Sequence, residues 1–91
     1  DLPFDTPHRI TLFYKDRANL WLDFVQLLTD QGLTVKEMTS NTKNGYGYAL
    51  INTDLSVLSQ AEIANLRQLL QDHGDIIRFR FLTNPSINPE L

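Results

Sequence analysis

His8-Arg9-Ile10-Thr11-Leu12-Phe13-Tyr14-Lys15-Asp16-Arg17-Ala18-Asn19-Leu20 carries an apolar strand straight into a helix start. Ile10, Leu12 and Tyr14 alternate with Arg9, Thr11, Phe13 and Lys15, the period-two pattern of a strand from His8 to Lys15. From Asn19 the period changes. Leu20, Phe24, Leu27 and Gln31 fall at helical spacing, with Trp21, Val25 and Leu28 beside them, which predicts a helix over Asn19–Gln31. Asn19 suits its cap, and Gly32 suits a left-handed end. The turn between, Lys15 to Leu20, sits where backbone N–H groups lack helical partners and can hold a carboxylate.

Outward from this unit the pattern repeats. Leu33–Thr42 reads as a second strand, polar enough for a sheet edge. Lys43-Asn44-Gly45 is a hairpin turn, because Asn-Gly accepts the positive φ angles that tight hairpins need. Tyr46–Thr53 is a third strand with unlike faces, Tyr46, Tyr48 and Leu50 against Gly47, Ala49 and Ile51. Asp54–Leu58 connects to Ser59-Gln60-Ala61-Glu62, a capping box. A second helix follows with Ile63, Leu66, Leu69 and Leu70 inward and Gly74 at its end. Asp75–Leu82 is the last strand. The order βαββαβ predicts an α+β, ferredoxin-like domain over residues 8–82: a four-stranded antiparallel sheet with both helices on one face and right-handed crossovers. The other face would carry Phe13, Tyr46, Tyr48 and Leu50, an aromatic surface of the kind that marks an interface. Residues 1–7, with Pro3 and Pro7, read as a linker arm, and 83–91, with Pro85 and Pro89, as a tail.

Composition narrows the function. The chain has 91 residues, no cysteine, two histidines and a net charge of −3. Disulfides and thiolate metal sites are excluded, and His8 and His73 stand too far apart in sequence to suggest a zinc site. Acidic charge with scattered basic residues points away from nucleic acid. No apolar run approaches a membrane span, and residues 1–7 do not resemble a signal peptide. These features suggest a soluble, cytoplasmic module, and a start at Asp1 suggests a piece of a longer chain.

The residues then resemble an ACT domain, the amino-acid-sensing module of metabolic enzymes. The family turn reads roughly Asp-Arg-Pro-Gly-Val/Leu-Leu; here it is Asp16-Arg17-Ala18-Asn19-Leu20-Trp21. Gln31-Gly32-Leu33-Thr34-Val35 looks like the family's approach to strand two, Tyr46 to Asn52 like strand three, and Ile77 to Leu82 like the last strand. The resemblance covers about four-fifths of the chain. Without gaps from Tyr14 to Asp54, the spacing is most similar to the C-terminal ACT domains of D-3-phosphoglycerate dehydrogenases.

That resemblance implies regulation and not catalysis. It implies a homodimer joined edge to edge and a small amino acid, L-serine first, held between the first turn of one chain and strand two of the other. It implies allosteric feedback on an NAD-dependent catalytic domain outside this chain, with no cofactor in the domain itself. Carried over by position, Tyr14, Asp16, Arg17, Ala18 and Asn19 form the first-turn part of the effector site. Thr34 stands where a family asparagine reaches across from the partner. On physical grounds the N–H groups near Ala18, Asn19 and Leu20 suit a carboxylate, Asp16 an ammonium group and Thr34 a hydroxyl. The chain departs from the pattern where Tyr14 replaces histidine, Asp16 asparagine, Ala18-Asn19 the Pro-Gly, and Thr34 asparagine.

Other readings stay beside this one. Asp16 and Arg17 also suit a solvated turn, Asn19 a plain cap, Trp21 simple packing, and Arg78 and Arg80 a solvated strand face. The whole domain also fits an ACT-type dimerisation module without an effector, or a regulatory domain of another amino-acid enzyme. An acylphosphatase-like catalyst would need a glycine-rich phosphate cradle, which the first loop lacks. An RNA-binding sheet would need aromatics with Lys or Arg on its open face; Tyr46, Tyr48 and Arg9 imitate this, against the acidic net charge.

Overall fold

A computed structural model describes residues 2–87. The elements run β1 (His8–Lys15), α1 (Leu20–Asp30), β2 (Glu37–Lys43), β3 (Tyr46–Thr53), α2 (Gln60–Asp72) and β4 (Ile76–Thr83), with a 3-10 turn at Leu55–Val57. The strands form one antiparallel sheet in the order β2-β3-β1-β4. This is the expected ferredoxin-like arrangement.

Alternation decides which side chains meet the helices. Ile10, Leu12 and Tyr14 of β1 and Ala49 and Ile51 of β3 pack with Leu20, Phe24 and Leu28 of α1 and Leu66 and Leu70 of α2. Each large apolar side chain so buried stabilises the fold by roughly 1.5–3 kcal/mol. β1 lies at the centre, paired with β3 on one side and β4 on the other. Its partner β4 carries a bulge at Ile77: Phe13 faces Arg78 and Tyr14 faces Ile76. The extra residue turns Ile76 toward the core and leaves Ile77 exposed.

The turns follow the chemistry read from sequence. Asn44 (φ 55°) and Gly45 (φ 81°) close the β2–β3 hairpin, and Gly32 (φ 90°) ends α1. Ser59 accepts the Glu62 N–H at 3.1 Å while Glu62 accepts the Ser59 N–H at 2.9 Å, completing the capping box.

Several boundaries differ from expectation. β2 begins at Glu37, not Leu33. Residues 33–36 form no regular element, and Leu33 is buried in the core. Thr34 donates no ladder bond there; its carbonyl accepts the Thr53 hydroxyl at 2.8 Å. Asn19 flanks α1, but its side chain makes no cap bond; it holds a left-handed conformation, φ 63°. α2 stops at Asp72, and His73, in extended conformation, closes it, so Gly74 serves no left-handed end. Leu69 is exposed rather than inward.

The N-terminal arm is tied down. Asn52 donates to the Pro3 carbonyl, Arg9 to the Leu2 carbonyl, and Asn84 to the carbonyls of Phe4 and Thr6. Phe4 lies under the Arg9 guanidinium. The tail read from residue 83 begins in fact as the end of β4, continues through a buried Asn84, and at 88–91 lies outside the described residues.

Candidate functional site

The end of β1 and the start of α1 form one wall of a cleft of about 300 Å³, and β2 forms the other. Tyr14, Asp16, Arg17, Ala18 and Asn19 line it, joined by Leu20, Trp21, Ser40 and Thr42. Five of the six residues expected at the site therefore share one cavity. Thr34 does not. It lies at the opposite end of β2, in a separate depression with Asp5, Lys36 and Asp54.

Tyr14 makes the floor. Its ring is buried, packs edge-on against Phe24 at 5.0 Å, and fills the space above Gly47. A Cβ at position 47 would overlap that ring. Burial pushes the Tyr14 hydroxyl above its ordinary pKa; hydrogen bonding to the Ser40 side chain opposes the rise, and the Asp16 carboxylate adds to it. The phenol thus stays protonated at neutral pH.

The three turn residues differ in what they have free. Arg17 is engaged: Nε donates to Asp75 at 2.9 Å and a terminal nitrogen donates to Asp23 at 2.8 Å. Hydrogen bonding to Asp75, then to Asp23, raises its pKa further. Arg17 therefore clamps the turn to Asp75, just before β4, and to α1. The Asp16 N–H donates to the Gly45 carbonyl, fixing the turn to the hairpin, while its carboxylate is exposed and pairs with no cation among the described residues. The Leu20 N–H donates to the Arg17 carbonyl at 3.3 Å. The N–H groups of Ala18 and Asn19 have no acceptor among the described residues.

The turn into α1 forms with Asn19 in the left-handed region, φ 63°. Asn is among the few side chains that occupy that region readily. Sequence reasoning missed Ser40 and Thr42, whose hydroxyl-bearing side chains lie on the cleft side of β2. Their signal was the Ser40/Thr42 alternation on the helix-facing side of an edge strand. Among the described residues no group of three His, Cys, Asp or Glu is placed to hold a metal ion, and no helix is long and apolar enough to cross a membrane.

No family model matches the chain, and no curated protein matches it. Solved structures do. The chain superposes on the C-terminal domain of the MgtC protein from Mycobacterium tuberculosis with a TM-score of 0.68 and 9% identity, over 92% of this chain and 93% of that one. It superposes on an ACT domain protein from Streptococcus pneumoniae with a TM-score of 0.60 and 12% identity, over 88% and 91%. At such identities the likeness establishes the fold: an ACT-type ferredoxin-like domain.

Proposed function

We propose that this chain is a regulatory domain that binds a small free amino acid in the Tyr14–Trp21 cleft and works in pairs. One observation carries the reading. The cleft sets an unpaired carboxylate, Asp16, beside two unpaired backbone N–H groups, those of Ala18 and Asn19, within a turn that Arg17 holds in place. A free amino acid presents the matching pair of groups. Its carboxylate takes the N–H groups at the start of α1, where the helix dipole adds roughly 0.3–1 kcal/mol, and its ammonium takes Asp16. A short polar side chain then meets the hydroxyls of Tyr14, Ser40 and Thr42, which makes L-serine the first candidate.

Pairing accounts for Thr34. β2 is a sheet edge, and antiparallel pairing of two β2 edges sets the beginning of one strand against the end of the other. Thr34 of a second copy would then approach the cleft that its own chain cannot supply. Trp21, 52% exposed, lines a groove of mixed polarity beside this edge, with Val25, Val35 and Met38 and the polar Lys36, Glu37 and Ser40. In this reading the domain has no chemistry of its own. Effector bound between two copies favours one orientation of them and so controls an attached catalytic domain, for which an NAD-dependent D-3-phosphoglycerate dehydrogenase is the first candidate.

Titration calorimetry with L-serine, glycine and L-threonine tests the proposal. Saturable binding that Asp16→Ala weakens supports it. A second reading, a pairing module without effector, is favoured by the Tyr14 ring filling the cleft floor over Gly47; a dimer that binds none of these amino acids would establish that reading instead.

A further inference from the structure

The sheet face away from the helices sorts the charge of the molecule. Strand register places its side chains in rows. Lys43, Tyr46 and Lys15 form the first; Asn41, Tyr48, Phe13 and Arg78 the second; Thr39, Leu50, Thr11 and Arg80 the third. Four cations, Lys15, Lys43, Arg78 and Arg80, therefore share these rows, while the strand acid on this face, Glu37, lies in the fourth row beside Asn52 and Arg9. The chain carries −3 overall, yet the helix layer holds the acids Asp23, Asp30, Glu62 and Asp72 on α1 and α2. The net charge that points away from a polyanion is not the charge of this face.

Aromatic rings lie between the cations. Tyr46 and Tyr48 are each 47% exposed. Phe13 and Tyr46 stack at 5.7 Å with 11° between their planes, and the Arg78 guanidinium lies 5.3 Å above the Phe13 ring. The rings are on the two central strands, β1 and β3, where a strand of nucleotides crossing the sheet would pass. Four-stranded RNA-binding sheets stack two or three bases on aromatics of the sheet. Their signature runs basic-Gly-aromatic-Gly/Ala-Phe-Val-x-aromatic. Here Asn44-Gly45-Tyr46-Gly47-Tyr48 matches the Gly-aromatic-Gly-aromatic centre, with the basic residue, Lys43, one place early and Ala49-Leu50-Ile51 in place of Val-x-aromatic.

We propose that this open face binds single-stranded RNA, with Tyr46 and Tyr48 stacking bases while Lys15, Lys43, Arg78 and Arg80 hold phosphates. Two other occupants fit less of what is present. A second copy docking face to face would set these cations against their own equivalents. An acidic peptide would satisfy the cations and leave the exposed rings without a planar partner. The docked arm marks the limit of the surface, since Leu2–Phe4 cover the fourth row at Arg9 and Asn52.

The test is fluorescence anisotropy of the full chain with a labelled oligo(U) RNA of about 12 nucleotides. If all four cations contact phosphates, affinity falls about 50-fold between about 50 and 200 mM salt. Arg80→Ala removes one contact and reduces that ratio to about 20-fold. Tyr48→Ala weakens binding about tenfold. Arg67→Ala, a cation on α2 away from this face, changes neither quantity. Circular dichroism confirms that each variant folds. Absence of saturable binding at the lower salt overturns the proposal. So does parental affinity in both Tyr48→Ala and Arg80→Ala. Displacement of the RNA by an equal concentration of polyglutamate, or binding of an oligo(dT) DNA of the same length but not of the RNA, overturns it as well. None of these readings depends on whether the cleft takes an amino acid.

Discussion

The Tyr14 ring occupies the space that a side chain at Gly47 would need, so the cleft floor and the third strand are built as a pair. The two residues face one another across β1 and β3 in register. Glycine at 47 serves close approach here, not an unusual backbone angle. Gly47→Ala must shift the Tyr14 ring or the strand. Expected is a loss of about 1–3 kcal/mol in chemical denaturation, as for other overpacked cores. Tyr14→Leu should recover part of it in a double-mutant cycle. An additive cycle would mean that the two do not share the space.

Asn19 makes a sharp prediction because its side chain caps nothing. Its value lies in φ 63°. Asn19→Ala should cost about 1 kcal/mol, the penalty of a left-handed alanine. Asn19→Gly should be neutral within about 0.5 kcal/mol. Equal losses in both variants, read from thermal or urea unfolding, would assign the role to the side chain.

The capping box of α2 gives a pH dependence. Accepting the Ser59 N–H, helped by the Ser59 hydroxyl, holds the Glu62 carboxyl below its ordinary pKa. A depressed folded value means that the contribution is complete above the unfolded value and is lost as pH falls through the folded one. Glu62→Gln should therefore flatten the acid limb of the stability profile and leave its shape near neutrality unchanged. Ser59→Ala should lower stability at neutral pH by about 1 kcal/mol.

Asn52, fully buried, links Pro3, Arg9 and Glu37. Asn52→Ala should cost about 1–3 kcal/mol through partners left without it. It should also release the arm, measured as faster proteolysis before Arg9. Unchanged cleavage would show that Arg9 and Asn84 anchor the segment without Asn52.

These residues also show what the sequence could and could not convey. β1, β3, the Asn44-Gly45 turn and the Ser59–Glu62 box were legible because each rests on neighbours within a few positions. Residues 33–36 misled because Leu33 and Val35 alternate like a strand; their burial comes from packing beneath α1, and only the Lys36 N–H, donating to the Asn52 carbonyl, joins the sheet. Asn52 and Asn84 were illegible because their partners lie at the other end of the chain, at Pro3, Phe4 and Thr6. In the candidate site, the turn was legible as a break between two periodicities. The engagement of Arg17 was not, since Asp75 follows it by 58 positions.

The central claim is that the turn after β1 binds a free amino acid. The most direct measurement is calorimetric titration of the chain with L-serine, alongside Asp16→Ala and with oligomeric state followed in the same buffer. The account predicts saturable binding to a dimer and at least tenfold weaker binding by the variant. Binding that Asp16→Ala leaves unchanged, or a dimer that binds no amino acid at all, would contradict it.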